Sequence, residues 1–163
     1  MTVTFEEVKS NQAVSQLFEL IQVIWPEVFT SIIGEAQVAY MLENYQSITK
    51  IKTEIAAGVR YYFIALDGKT VGYAAYACQE NQFFISKIYL LSDFRGKGIS
   101  RQVFEWFEKI AREHEKPKLH LHVNRDNHQA IAVYQHFGFE IVKEVVTQIE
   151  AILMPDYWME KVL

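Results

Sequence analysis

Two segments of the 163-residue chain hold side chains at spacings that chemistry could use. The first, Asp93-Phe94-Arg95-Gly96-Lys97-Gly98-Ile99-Ser100, follows an apolar run and opens a helical pattern. Gly96 and Gly98 lack Cβ atoms, so the chain can turn tightly and a phosphate can approach the backbone. Exposed amides at a helix start carry partial positive charge, which suits a diphosphate. Arg95, Lys97 and Arg101 add formal charge nearby. A basic surface turn would show the same Gly-Lys-Gly. Two other nucleotide motifs are excluded: Gly98 is followed by Ile99 where a Walker A loop needs Lys-Ser/Thr, and Arg101 stands where a dinucleotide fingerprint needs its third glycine.

The second segment, Val123-Asn124-Arg125-Asp126-Asn127, leads through Ala130 to Tyr134 and Gly138-Phe139. On a helix, Asn127, Ala130 and Tyr134 fall at i, i+3 and i+7 and share a face. Ala130 leaves room there for a peptide-like ligand arm, with Asn127 bonding its amide and Tyr134 at its end. A phenol with a pKa of about 10 remains a proton donor at neutral pH and could protonate a departing thiolate. The same residues would also serve as a helix cap and a packed ring. Together the two segments suggest binding of a nucleotide-tailed thioester and transfer of its acyl group.

The elements that must position these groups follow from period and punctuation. Val3 to Val8 reads as a strand. Ala13 to Trp25 places Val14, Leu17, Phe18, Ile21 and Ile24 at helical spacing, with Pro26 as its limit. Glu35 to Glu43 is a second helix, and Ser47 caps a third that Gly58 stops. Tyr61 to Leu66 and Val71 to Ala77 flank Asp67-Gly68-Lys69, a hairpin signal. Gln82 to Leu91 is a further strand, Gly98 to Glu113 a long helix, and Leu119 to Asn124 an alternating strand. Asn127 to Phe137 is a helix. Phe139 to Ile149 and Tyr157 to Val162 close the chain as strands, with Pro155-Asp156 as their break. This order predicts an α/β fold with a mixed sheet covered on both faces.

Length favours one domain over residues 1–163, and a chain of this size buries roughly 70% of its unfolded surface. Half the residues are hydrophobic and the net charge is −4, which argues against a nucleic-acid partner held by bulk charge. The single cysteine, Cys78, rules out an internal disulfide and is expected as a small buried hydrophobe. The N-terminus lacks signal-peptide regions, and no apolar stretch is read as approaching the roughly 20 residues of a membrane span. A cytoplasmic protein without a membrane partner is expected.

These residues resemble the GCN5-related N-acetyltransferase (GNAT) superfamily. Its Arg/Gln-x-x-Gly-x-Gly/Ala signature is similar to Arg95-Gly96-Lys97-Gly98-Ile99-Ser100, with Ser100 departing at the final small residue. Val123-Asn124 to Gly138-Phe139 resembles the family's Asn…Asn…Ala…Tyr…Gly-Phe segment without gaps. Lys87-Ile88-Tyr89-Leu90-Leu91 is similar to its strand before the phosphate loop. The match is firm over residues 85 to 139 and loosest at Glu35 to Ser47 and Asp156 to Lys161, which resemble bacterial polyamine-type acetyltransferases.

The resemblance implies the acyl-CoA N-acyltransferase fold, a mostly antiparallel sheet of six to seven strands that splays between the strand ending near Leu91 and the strand Leu119 to Val123. It implies acetyl-coenzyme A as cosubstrate, its arm entering that gap; no metal is expected, because no cluster has metal-ligand spacing. Backbone groups of Ile88 and Leu90 would pair with the pantetheine arm, and the same strand would stabilise the oxyanion. Amides of Arg95, Gly96, Lys97, Gly98, Ile99 and Ser100 would hold the diphosphate. Asn124 and Asn127 would contact the cofactor, and Tyr134 would act as general acid. A homodimer through the final strands is possible, as in many relatives.

An alkyl amine with a pKa near 10.4 must lose a proton before it attacks, so a base is needed. Some relatives place a glutamate immediately before the position of Val123. His122 stands there, and a neutral imidazole could take the proton directly or through water. His120 is on the same face, while His114, His128 and His136 look solvated. His120-x-His122 lacks an evident third metal ligand. The acceptor, a small-molecule amine or a protein N-terminus, would meet residues from Trp25 to Ser47 together with Tyr73, Tyr76 and Glu80. Cys78 has no activating motif, so attack is expected to be direct, in a ternary complex. The competing expectation is a domain that binds or senses coenzyme A without turnover.

Overall fold

In the computed structural model, residues 1–149 and 152–163 are described. The chain runs through β1 (Val3–Glu7), α1 (Asn11–Ile33), α2 (Glu35–Asn44), α3 (Ile48–Ala56), β2 (Arg60–Leu66), β3 (Lys69–Cys78) and β4 (Phe83–Leu90). A 3-10 turn (Ser92–Phe94) follows, then α4 (Ile99–Glu113), β5 (Lys118–Asn124), α5 (His128–His136), β6 (Glu140–Ile149) and β7 (Ile152–Val162). The seven strands form one mixed sheet in the order β1-β2-β3-β4-β5-β7-β6. This is the expected α/β class. Two compact units make up the chain, one of Met1–Ala77 with Lys87–Gln102, the other of Cys78–Ser86 with Val103–Leu163.

In the first unit, β1 pairs antiparallel with β2 and β2 with β3. The β2–β3 turn has Asp67 at φ 49° and Gly68 at φ 85°, the two left-handed residues that a tight twisted hairpin requires. Ser10 and Ser47 cap α1 and α3 by accepting from Ala13 N and Lys50 N. Helix α1 does not end at Pro26, as the sequence suggested, but passes through it to Ile33. Pro26 forfeits one backbone bond, at roughly 3 kcal/mol. Burial of Trp25 and Phe29 on the same side offsets that at about 1.5–3 kcal/mol each. The extension also makes α1 long and apolar enough to cross a membrane by length and composition, which corrects the earlier expectation. Its buried residues Val14, Leu17, Ile21, Ile24, Trp25 and Phe29 keep the spacing of a core-facing stripe.

In the second unit, β4 pairs parallel with β5 over Phe83–Ile85 and Leu119–Leu121, and β5 pairs antiparallel with β7. Helix α4 buries Val103, Phe104, Phe107 and Ala111. The break between the last two strands is not at Pro155-Asp156, because Pro155 lies inside β7 opposite Val146. Its carbonyl accepts from Arg125 N, so its nitrogen also faces that side, where pairing with β5 has ended at Asp156. Proline therefore interrupts no ladder bond there. Cys78 is also corrected: it ends β3 and is exposed.

Candidate active site

The loop before α4 in the first unit is shaped by its glycines. Gly96 and Gly98 have φ 73° and 82°, in the left-handed region that other residues avoid. Among the described residues, and beyond the chain neighbours, no heavy atom lies within 4 Å of where a Cβ of Gly96 would stand, and one at Gly98 would meet Met1 Cε at 3.9 Å. The loop face is therefore open to a ligand. Ile99 is fully buried and anchors the start of α4, whose first N–H groups, those of Ile99 and Ser100 included, lack intrahelical acceptors. Lys97 lies over the Phe94 ring at 5.7 Å, and so does Lys69 at 5.3 Å.

Arg95 plays a different part from the one its charge suggested. Its amide bonds Ser92 O at 3.3 Å, and its guanidinium reaches back to Leu90 O, with Nη2 at 2.9 Å and Nε at 3.1 Å. Glu27, 3.8 Å from the guanidinium, also holds Ser92 through its amide and hydroxyl. Leu91 N donates to Val71 O, so the trans peptide aims Leu90 C=O away from β3. The backbone groups of Leu90, and of Ile88 two residues back, thus face the side of β4 where an added strand would pair. Both acceptor sites of Leu90 O are taken by Arg95; its N–H and the groups of Ile88 are on the same side.

A polar cluster behind this strand had no signal in the sequence. Glu54 of α3 accepts from Tyr61 Oη at 3.2 Å and lies 3.8 Å from Lys87 Nζ. Burial pushes the Lys87 amine down, and Glu54 counters it. Burial, reinforced by Glu54, pushes the Tyr61 phenol well up. Tyr73 is fully buried against Tyr89, at 5.4 Å between ring centroids, and Tyr76 is buried too. Neither presents the accessible surface expected of an acceptor contact. Only the fold brings Glu54 and Lys87 together, since 32 residues of unrelated pattern separate them.

In the second unit, Asn124 is buried and its Oδ1 accepts from Asp126 N at 2.9 Å, while its backbone carbonyl accepts from Asn127 N. Asn127 Oδ1 caps α5 by accepting from Ala130 N at 3.3 Å. Both asparagines thus set the turn that starts α5, with their NH2 groups as the remaining donors. Tyr134 is half-buried on α5, edge-on to Phe104 at 5.8 Å and 6.0 Å from Phe139. Burial pushes its phenol up, so it stays protonated.

His122 is exposed on β5, and its ring stacks on Trp158 at 5.1 Å with an interplanar angle of 4°. Phe84 lies 5.2 Å away. Burial of the ring face and the neighbouring His120 lower the His122 pKa to about 4. His120 is buried, and its Nε2 meets His122 Nε2 at 2.9 Å. His114, His128 and His136 are exposed, as expected. Among the described residues no group of three or more His, Cys, Asp or Glu side chains could hold a metal. Burial raises the Cys78 thiol pKa and Lys116 lowers it, burial being the larger effect. Trp158, Phe84 and Glu160 were missed by the sequence reading, because only strand pairing places them around the histidines.

The chain belongs to the acetyltransferase (GNAT) family, whose profile matches residues 15–139. It is a GNAT-family N-acetyltransferase. It is 30% identical over 134 residues to an uncharacterized N-acetyltransferase from the pepI 3′ region of Lactobacillus delbrueckii subsp. lactis, covering 77% of this chain and 78% of the relative. The fold is similar to that of PaiA N-acetyltransferase from Thermoplasma acidophilum in complex with coenzyme A, with a TM-score of 0.82, 19% identity and 100% of each chain covered. It is also similar to a GNAT family acetyltransferase from Elizabethkingia anophelis with acetyl-CoA bound, with a TM-score of 0.66 and 12% identity over 99% of this chain and 98% of that one.

Proposed function

We propose that the enzyme moves an acetyl group from acetyl-coenzyme A to a primary amine of a small molecule or a protein N-terminus, by direct attack in a ternary complex. The observation that carries this is the left-handed Gly96–Gly98 turn, open at its surface and leading into α4. Amides from Gly96 to Ser100 hold the diphosphate, with Lys97 nearby and Arg95 bracing the loop from behind. Ile88 and the N–H of Leu90 pair with the pantetheine arm, and the NH2 groups of Asn124 and Asn127 are donors for it. The bound thioester supplies an activated acetyl group with a thiolate leaving group. Tyr134, protonated at neutral pH, donates to that thiolate. His122 takes the proton of the attacking amine. The Cys78 thiol, pushed up by burial and lacking a base partner among the described contacts, favours direct attack over an acyl-enzyme.

Polyamines, amino acids, antibiotic amines and peptide N-termini are the acceptor classes to test. Two copies of the chain would pair through β6, the edge strand, where Val142 and Val146 are 53% and 57% exposed. A reducing cytoplasm suits the single unpaired cysteine. Thiol release from acetyl-coenzyme A with a panel of these amines, with the product identified by mass, tests the reaction. Release that depends on one amine class is expected. Tight coenzyme A binding with no release for any class would instead identify a sensing domain.

A further inference from the structure

We infer that His120 is a positioning residue for the acetyl transfer: it locks His122 as the Nε2–H tautomer, leaving Nδ1 as the bare nitrogen, and then takes over the proton that Nδ1 receives. This rests on the reading of His122 as the base. The two Nε2 atoms lie 2.9 Å apart with ring planes at 82°, so one must carry hydrogen and the other a lone pair. The buried Nδ1 of His120 meets no full hydrogen bond among the described residues, lies 3.5 Å from Glu160 Oε2, and has the Met159 backbone beside the ring, which also favours the protonated form. A lone pair there would face carboxylate charge, whereas an N–H is attracted to it. His120 therefore carries its hydrogen on Nδ1 and accepts at Nε2, and His122 must donate.

The surrounding charges favour this arrangement. Lys118 holds both oxygens of Glu160 at 3.2 Å, fixing the carboxylate that faces His120. Trp158, stacked on His122, restricts rotation of that ring, and Lys143 covers Trp158 at 4.1 Å. When Nδ1 of His122 gains the amine's proton, its Nε2–H bond breaks and an N–H forms on Nε2 of His120. The charge then rests between His122 and Glu160 and leaves His122 neutral. Lys118 opposes a charge on His120, and the Glu160 carboxylate, 3.5 Å from its Nδ1, favours one.

Nitrogen-15 NMR of the imidazoles in the intact chain, at mildly alkaline pH and without ligand, tests the lock. His122 signals are assigned by their loss in His122→Gln. The wild type is expected to show a protonated Nε2 and a bare Nδ1 on His122. His120→Gln, whose Oε1 replaces the accepting nitrogen, should keep that tautomer, and His120→Leu should release a mixture. A protonated Nδ1 in the wild type overturns the inference without any variant, as does an unchanged tautomer in His120→Leu. Thiol release tests the takeover. His120→Gln keeps the acceptor but cannot hold the proton, so kcat should fall about 100-fold, the lower end for a proton-transfer group; an unchanged kcat removes the takeover. Full activity in His122→Gln, with the expected wild-type spectrum, would remove the base reading while the lock stood.

Discussion

The guanidinium of Arg95 closes on the carbonyl of Leu90 through two nitrogens, at 2.9 and 3.1 Å, and so ties the glycine loop to the end of β4. A lysine amine has no planar pair of donors to match this. Arg95→Met frees the carbonyl and strips Glu27 of its cation. The expected loss is about 1.5–3 kcal/mol of stability, the scale of hydrogen bonds to a charged group. Arg95→Lys should recover part of it. Coenzyme A affinity, measured by calorimetry, should fall in the same order, from wild type to Lys to Met. Unchanged affinity in Arg95→Met would show that the loop keeps its shape without this tie.

Two glycines should respond to alanine for opposite reasons. At Gly98 there is room for a methyl group, but φ is +82°, so Gly98→Ala should cost roughly 1–2 kcal/mol of loop strain and weaken coenzyme A binding. Gly72 has an ordinary φ, but its Cβ would stand 2.2 Å from Tyr89 O and 2.8 Å from Leu90 Cδ2. Gly72→Ala should destabilise by about 1–3 kcal/mol through overpacking. Denaturant titration and calorimetry on the two variants separate the effects. A Gly72→Ala protein of wild-type stability would mean that β3 and β4 yield readily.

What the sequence made legible was local. Ser47 as a cap, Asp67-Gly68 as a twisted turn, and Asn127 as the start of α5 each depend on neighbours a few residues apart. The glycine turn before α4 was readable for the same reason. Pro26 and Pro155 misled because their cost is local while what offsets it is tertiary: burial of Trp25 and Phe29 in one case, the end of β5 pairing in the other. The charge of Arg95 was visible, but its direction was not, because a long side chain can fold back on its own loop. Alternation placed His120 beside His122 yet could not show that Glu160 of β7 backs it.

Glu54 and Lys87 form a largely buried pair that also accepts the Tyr61 hydroxyl. Glu54→Ala leaves the amine and the phenol without the carboxylate. The expected loss is about 3 kcal/mol, the lower end for breaking a buried pair. Glu54→Gln combined with Lys87→Met removes both charges and keeps an acceptor for Tyr61, so most of that loss should be restored. Thermal melts of the single and double variants check this. A double variant as unstable as Glu54→Ala would place the defect in packing rather than charge.

The pH dependence of stability has a defined sign. His122 drops from an ordinary value of 6.5 to about 4 in the fold, and His120 is also lowered. Below pH 6.5 the unfolded chain therefore binds protons that the folded chain refuses. Their contribution to stability is complete above about 6.5 and is lost as pH falls towards 4. Denaturation midpoints of the wild type should decline across that window, and those of a His120→Gln, His122→Gln double variant should decline less. Asp156, whose carboxyl is pushed up by burial, acts with the opposite sign; parallel curves for the two proteins would show that the two histidines do not set the acid sensitivity.

Tyr134→Phe isolates the hydroxyl, the proposed proton donor, from the ring that carries it. The contacts with Phe104 and Phe139 are made by ring carbons and survive the change. Stability should therefore stay within about 0.5 kcal/mol, as for a substitution that touches no partner. In the proposed role the hydroxyl acts when the thiolate departs, so kcat should fall about 100-fold, at the lower end for a general acid, while coenzyme A affinity changes little. The fall should also shrink with a thioester whose leaving thiol is more acidic, because that thiolate needs less help. A variant with wild-type kcat, or with an equal loss for both thioesters, would return Tyr134 to a packing role and leave the departing sulfur to be protonated by water.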